Sequence, residues 1–210
     1  MGPDKDSHCG EIASRAMLQV NPHLPHPMPL QTINPATGEL LRQYPEMELA
    51  EVLAIIEKVE ADFVEWRKRP VAERAAMFGT FGKLLRDNAK QYAEVITKEM
   101  GKPISEAVSE VEKCALLCEY YAEHGPKFLA DQPVETEAAK SFITFQPIGI
   151  VLAVMPWNFP FWQVFRAAVP ALIAGNGMLL KHSSNVPECA LTLEALFHAA
   201  GFPLNIFRTL

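Results

Sequence analysis

The chain has 210 residues, of which 49% are hydrophobic and 21% are charged, so it is long and apolar enough to bury a core. Its net charge of −6 and the absence of a Lys/Arg cluster argue against nucleic-acid binding, which depends on clustered cations. No apolar stretch approaches the roughly 20 residues that a membrane-spanning helix requires.

The first segment, residues 1–30, is rich in proline and has no periodic apolar pattern, so we expect a disordered extension. It lacks the apolar run of a secretory signal and the basic character of a transit peptide, which favours a cytoplasmic location. The cysteines, including Cys114 and Cys118 at helical spacing, are too sparse for a disulfide framework. We expect reduced, buried thiols and no metal site, because no second Cys or His pair has matching spacing.

The next segment, residues 31–147, is expected to form a hairpin followed by helices. The apolar ends of the 33–40 segment flank an Asn-Pro pair and a glycine, which indicates a strand, a turn and a second strand. Gly101 is expected to cap one of the helices in the left-handed conformation. Apolar residues at helical spacing predict helices over residues 48–68, 71–88, 92–100 and 105–129.

The pattern changes to alternating strand and helix after residue 131. Residues 141–145 alternate as in a strand, and the apolar run 148–155 predicts a strand buried on both faces, as in parallel sheets. Helix, strand, helix and strand then follow over residues 160–174, 178–181, 187–200 and 205–210. We therefore expect an α/β fold, in which a helical segment precedes an incomplete, doubly wound parallel sheet with right-handed crossovers over residues 148–210. The last strand would then lie at an uncovered edge of the sheet. Natural domains avoid such edges, so we expect the sheet to be part of a larger unit.

The turn after the 148–155 strand carries the most informative motif. Its sequence is Pro156-Trp157-Asn158-Phe159-Pro160. It places the Asn158 carboxamide at the carboxyl edge of the sheet, where ligands bind in open α/β folds. Asparagine is also common in turns, so the residue type alone is equally compatible with a structural role.

Several motifs together resemble the aldehyde dehydrogenase family, most closely its succinate-semialdehyde branch. They are the 147–181 segment with its Pro-Trp-Asn-Phe-Pro turn, Ile-Asn-Pro-Ala-Thr-Gly at 33–38, Glu-Met-Gly-Lys-Pro at 99–103 and Tyr-Tyr-Ala at 120–122. The resemblance covers residues 31–210. It implies NAD(P)-dependent oxidation of a short semialdehyde through a cysteine thiohemiacetal, in which the Asn158 NH₂ group donates to the aldehyde oxygen.

The same resemblance implies where NAD or NADP binds. In many relatives, a glutamate that follows the strand-terminal lysine binds the 2′-hydroxyl of NAD. Here Ser184 is small and neutral, so it permits the 2′-phosphate of NADP. The absence of a Gly-x-Gly-x-x-Gly motif agrees with the family, whose pyrophosphate-binding helix lies beyond residue 210. The implied cofactor-binding residues are Met155, Pro156, Trp157, Lys181, Ser183 and Ser184.

The implied substrate-binding residues are Phe159, Trp162 and Arg166. Arg166 lies eight positions past Asn158, about 12 Å along a continuous helix. The arginine at the matching position of succinate-semialdehyde dehydrogenases holds the substrate carboxylate, and a structural ion pair is the alternative for Arg166. Phe159 and Trp162 would line the aldehyde channel, although core packing is equally compatible with both aromatic residues.

The family's nucleophilic cysteine and general-base glutamate have no match in the chain, and Cys189 is expected to be structural. The chain alone is therefore expected to be inactive. We consider a piece of a semialdehyde dehydrogenase that is homo-oligomeric at full length, a non-catalytic nucleotide-binding module, and an interaction subunit. The last rests on the 141–145 strand, which resembles the family's oligomerisation segment. The sequence leaves the choice between NAD and NADP, the particular aldehyde and the biological length open.

Overall fold

A computed structural model of the protein describes residues 30–210, so the predicted extension lies outside the described residues except for Leu30. The chain then forms an antiparallel hairpin of β1, Leu30–Ile33, and β2, Leu40–Tyr44. The turn between them needs Gly38, whose φ of 74° lies in the left-handed region. The predicted hairpin is confirmed.

Four helices follow the hairpin, within a few residues of the predicted bounds. Pro70 separates the first two because its ring cannot continue a helix from the preceding turn. No helix within residues 30–210 combines the length and apolar character that crossing a membrane requires. The helices are α1, Leu49–Trp66, α2, Val71–Asp87, α3, Ala89–Met100, and α4, Ile104–Phe128.

The second half of the chain confirms the predicted β-α-β-α-β order. A short antiparallel ribbon of β3, Gln132–Pro133, and β4, Phe142–Ile143, comes first; β3 was not predicted, and β4 is shorter than the predicted strand. A parallel sheet of order β5-β6-β7 follows. Its elements are β5, Ile150–Met155, α5, Trp162–Ile173, β6, Gly177–His182, α6, Pro187–Ala199, and β7, Phe207–Thr209.

The prediction that β5 is buried on both faces is wrong for the described chain. Leu152 is 58% exposed and Val154 is 70% exposed. β5 is an edge strand, and α1 covers this same face mainly at β6, where Ile55 and Val59 pack against Leu179, the register partner of Leu152. A continuous apolar run indicates that both faces will be covered, but it does not show which part of the molecule covers them.

One apolar core joins the helical segment to the parallel sheet. Trp66 at the end of α1 is fully buried, and its Nε1 donates a hydrogen bond to the Leu172 carbonyl of α5 at 2.9 Å. The core is rich in aromatic rings at contact distance, namely Phe78, Phe81, Phe165, Phe197, Phe202 and Phe207. The helical segment therefore holds the sheet from one side and fixes the position of its carboxyl edge.

Gly101 caps α3 as predicted, with a φ of 78°. An added Cβ would lie 2.8 Å from Pro35 Cγ, so Gly101→Ala combines a strained backbone with a clash. We expect a loss of about 1–3 kcal/mol in the free energy of unfolding, measured by urea denaturation of the chain. Gly79→Ala in α2 is the control, because its Cβ would meet Ala122 at an ordinary 3.6 Å and helix propensity favours alanine. Equal stability changes in the two variants would contradict this account.

Candidate active site

The connection between β5 and α5 runs along the carboxyl edge of the sheet. Pro156, Trp157, Asn158 and Phe159 are exposed, whereas Pro160 and the following residue are buried. None of the side-chain hydrogen bonds within residues 30–210 uses the Asn158 carboxamide, so it is available to a ligand. The predicted position of this amide at the carboxyl edge of the sheet is confirmed.

Glu110 of α4 fixes the start of α5. Its Oε1 atom accepts hydrogen bonds from the backbone N–H groups of Phe161, at 2.9 Å, and Trp162, at 3.0 Å. Its Oε2 atom pairs with Lys102 Nζ, and the two side chains are only 1% and 7% exposed, respectively. A buried carboxylate thus satisfies the free N–H groups at this helix end and lies at the positive end of the helix dipole.

Two further contacts hold the turn on either side of its proline. Lys102 Nζ lies 3.8 Å from the centre of the Phe159 ring. His182 Nδ1 accepts a hydrogen bond from the Ser183 N–H at 2.9 Å, so His182 Nε2 carries the proton and donates to the Pro160 carbonyl at 2.9 Å. Burial lowers the pKa of His182, which favours the neutral ring that this arrangement needs.

Glu99 of α3 occupies the start of α6 in the same way. Its oxygens accept hydrogen bonds from the backbone N–H groups of Glu188, at 2.7 Å, and Cys189, at 2.6 Å, and from Thr32 Oγ1, at 2.9 Å. Burial raises the pKa of Glu99, while these hydrogen bonds act in the opposite direction. Carboxylates therefore fill both helix N-termini at this edge, which leaves neither α5 nor α6 free to bind a pyrophosphate.

The residues after β6 share the sheet edge with the asparagine turn. Val154 pairs with Lys181 and Met155 with His182 across the parallel strands, so Lys181 lies on the strand next to the turn. Lys181 is exposed, and its Nζ donates to the His182 carbonyl at 3.0 Å. Ser184 is exposed, and Ser183 donates through Oγ to Asn185 Oδ1 at 2.7 Å.

A groove of about 340 Å³ lies between α4 and the start of α5. Phe159 and Trp162 both line it, together with Ser105, Glu106, Ser109, Glu110 and Lys113. Lys113 Nζ lies 4.1 Å from the centre of the Trp162 ring. The two predicted channel residues therefore share one surface, next to Asn158.

Arg166 is exposed and lies one helical turn after Trp162. It takes part in none of the ion pairs within residues 30–210, so the described part of the chain gives no support to the structural ion-pair alternative. The expected separation of about 12 Å from Asn158 assumed a continuous helix. α5 begins only at Trp162, so this assumption does not hold for the residues between Asn158 and the helix start.

The described cysteines are free and buried, as predicted. Burial raises the pKa of Cys114, Cys118 and Cys189 well above that of an ordinary thiol, which disfavours the nucleophilic thiolate. Within residues 30–210 no cluster of His, Cys, Asp and Glu could hold a metal ion. The structural assignment of Cys189 agrees with this environment.

The sequence analysis missed the roles of Glu99, Lys102 and Glu110. One signal was present: Glu110 lies beside Val111 and three positions after Ala107, on the face of α4 that the apolar spacing turns inward. A charged residue at such a position needs a partner. The partners themselves are distant in sequence and could not be read from spacing.

The fold and the exposed amide define a class: open α/β proteins with a ligand site at the carboxyl edge of a parallel sheet. Within it, the chain belongs to the aldehyde dehydrogenase family, whose model matches residues 25–210. The family assignment made from the motifs is confirmed.

Named relatives agree with this assignment. The chain is 48% identical over 183 residues to a probable succinate-semialdehyde dehydrogenase (NADP(+)) of Synechocystis sp., covering 87% of the chain and 40% of that protein. It is 44% identical over 176 residues to the succinate semialdehyde dehydrogenase (NAD(P)+) Sad of Escherichia coli, covering 84% of the chain and 38% of the relative. The chain thus spans about 40% of the length of the curated relatives it matches.

Solved structures agree as well. The crystal structure of succinic semialdehyde dehydrogenase from Streptococcus pyogenes in complex with NADP+ superposes with a TM-score of 0.82 at 37% identity, covering 86% of this chain and 40% of that one. The parallel sheet and its helical segment are therefore those of the family.

Proposed function

We propose that this chain is part of an NAD(P)-dependent succinate-semialdehyde dehydrogenase, the activity named for its relatives. The observation that carries the proposal is the exposed Asn158 amide at the carboxyl edge of the sheet, beside the groove lined by Phe159 and Trp162. The chain would supply the donor to the aldehyde oxygen, part of the cofactor site and the residue that binds the substrate carboxylate.

Asn158 would be the catalytic residue that this chain contributes. When a nucleophile adds to the aldehyde carbon, negative charge develops on the aldehyde oxygen. A fixed amide N–H aimed at that oxygen stabilises the charge, and donors of this kind contribute about 3–4 kcal/mol in comparable sites. The carboxamide is exposed, and no side-chain hydrogen bond among residues 30–210 engages its two amide protons.

Lys181, at the neighbouring strand end, fits a ribose-binding role because its ammonium group is exposed and donates hydrogen bonds. Met155, Pro156 and Trp157 would form the adjoining wall, and Ser183 and Ser184 would face the adenosine ribose. Bound NAD or NADP would supply the hydride acceptor. Because glutamates occupy the ends of α5 and α6, we expect the pyrophosphate to be bound elsewhere in the protein.

Arg166 would bind the substrate carboxylate. Its exposure on α5, one turn past Trp162, leaves the guanidinium free to form a bidentate pair with an anion. Phe159 and Trp162 would flank the carbon chain of the semialdehyde in the groove between α4 and α5. A four-carbon semialdehyde would then place its two ends at Asn158 and Arg166.

The remaining chemistry would come from residues outside this chain. Since the described cysteines are buried, we propose that the nucleophilic cysteine and the glutamate base lie in the remaining length of the full protein. The chain alone would then be inactive, and the full protein would act as a cytoplasmic homo-oligomer.

The cofactor assignment predicts the outcome of Ser184→Glu in a full-length enzyme that carries this sequence. The new carboxylate would repel the 2′-phosphate, so we expect KM for NADP to rise about tenfold and KM for NAD to change little. Steady-state kinetics with the two cofactors measures the difference, and Thr80→Glu, at an exposed position of α2, is a control for added charge. Unchanged cofactor preference would remove Ser184 from the site.

The proposed function is tested by isolating the protein from its native host. Intact mass spectrometry gives the length of the species that contains this sequence, and the same fraction is assayed for NAD(P)H formation from succinate semialdehyde. Activity in a species longer than this chain supports the proposal. A stable species of 23.3 kDa with activity would contradict it, because the described residues provide no reactive nucleophile.

A further inference from the structure

We propose that Glu110 and Lys102 are positioning residues, which act on catalysis through Asn158 by fixing the turn that carries it. The inference rests on the proposed function of Asn158. The two residues form a buried ion pair that contacts the turn and the helix start immediately after Asn158. Glu110 lines the groove beside Phe159 and Trp162, but its side chain is only 1% exposed and its oxygens are engaged by Lys102, Phe161 and Trp162, so it acts through the turn.

Glu110 attaches the start of α5 to α4. Helix N-termini are usually capped by the side chain of a local residue, but Phe161 at the cap position of α5 cannot do this. Glu110, which is 51 positions before Phe161, accepts the N–H groups of Phe161 and Trp162 instead. The start of α5 is therefore fixed relative to α4, and with it the end of the turn.

The residues between Asn158 and α5 are each held by a contact outside the turn. Lys102 lies over the Phe159 ring, His182 of β6 binds the Pro160 carbonyl, and Glu110 accepts the Phe161 N–H group. On the other side, Met155 is paired with β6. Asn158 spans a short gap between two anchored ends, although its own side chain is unconstrained within the described residues.

A hydrogen-bond donor stabilises a developing oxyanion only where it is already in place, and a displacement of about 1 Å can lower the rate by about 10²-fold. A buried ion pair is weak support for stability, since apolar residues of similar volume often stabilise a fold equally well. Fixing the geometry of the turn is a function that an apolar pair could not perform, because an apolar side chain has no oxygen to accept the two N–H groups that Glu110 Oε1 accepts.

The test is a double-mutant cycle in a full-length enzyme that carries this sequence, using Glu110→Met, Asn158→Ala and the two combined. Methionine has a similar volume but no oxygen to accept the two N–H groups, so we expect Glu110→Met to lower kcat about 10- to 100-fold, the range seen for groups that orient a reacting residue. KM for the cofactor should stay within about threefold. The combined variant should be no slower than Asn158→Ala alone, because Glu110 has no effect once the Asn158 amide is absent.

Two further variants complete the design. Glu110→Asp keeps the carboxylate and should recover part of the lost kcat. Glu112→Gln removes an exposed carboxylate from the same helix and should leave kcat unchanged. If Glu110→Met does not fold, Lys102→Met is combined with Asn158→Ala in its place, because it leaves the Glu110 cap intact while removing the contact to Phe159.

Hydrogen exchange gives a readout that does not need activity. In Glu110→Met, the amides of Phe161 and Trp162 should exchange at least about tenfold faster, while those of α3 should not change. The inference would be overturned if the losses in kcat multiply in the double mutant, or if a folded Glu110→Met enzyme has an unchanged kcat. Full activity of Asn158→Ala would instead overturn the proposed function, and the inference with it.

Discussion

Replacing Asn158 with alanine is expected to lower kcat for succinate semialdehyde by about 10²- to 10³-fold in a full-length enzyme that carries this sequence. The lost group is the amide donor to the aldehyde oxygen, whose charge develops mainly in the transition state. KM for aldehyde and cofactor should therefore change far less than kcat. Steady-state kinetics with both substrates varied separates the two effects.

The controls for Asn158→Ala follow from its exposure. Because the carboxamide has no partner within residues 30–210, the melting temperature should be nearly unchanged, which separates a catalytic loss from misfolding. Gln91→Ala removes another exposed carboxamide, on α3, and should leave kcat as it was. Asn158→Asp should be at least as slow as Asn158→Ala, since a carboxylate repels the developing oxyanion. A kcat within about threefold of the parent for Asn158→Ala would show that the amide is a turn residue only.

Most of the fold could be predicted because its signals are local. The spacing of apolar residues predicted the helices, and Pro70 and Gly101 predicted where two of them end. The apolar run that ends at residue 155 predicted the first parallel strand. The two predictions that failed needed information that a local pattern does not contain. β3 has only two residues, one of them proline, which is too short for an alternating pattern. The exposure of β5 depends on which strand lies at the edge of the sheet.

The candidate site was predictable only where its residues lie in one segment. Asn158 follows β5 and Lys181 lies near the end of the adjacent β6, and the carboxyl ends of parallel strands meet at one edge, so their proximity follows from the fold. The Glu110 cap on α5 joins residues 51 and 52 positions apart. Contacts of this kind depend on how α4 packs against α5, and no spacing pattern encodes that.

The second large effect is expected for Arg166→Leu. If the guanidinium binds the substrate carboxylate, its loss removes a charge-assisted bidentate pair of about 1.5–3 kcal/mol, equivalent to about a 10- to 100-fold rise in KM for succinate semialdehyde. An uncharged aldehyde of similar length makes no such pair, so its kcat/KM should stay within about threefold. Kinetics with the two aldehydes on the same preparation measures the ratio.

Because Arg166 is exposed, the comparison of the two aldehydes can separate a loss of carboxylate binding from a loss of folded enzyme. The side chain takes part in no ion pair within residues 30–210, so its removal should not destabilise the protein, and a general loss of folded enzyme would lower activity on both aldehydes alike. Arg166→Lys keeps the positive charge but cannot form the bidentate hydrogen bonds of a guanidinium group. Its KM for succinate semialdehyde should therefore lie between those of the parent and Arg166→Leu. Lys83→Leu, which removes an exposed cation from α2, should change neither substrate. Equal losses on both aldehydes in Arg166→Leu would assign the arginine to structure. The selectivity for an acid aldehyde would then have to come from another cation beside the groove, such as Lys113, which lines the groove and contacts Trp162.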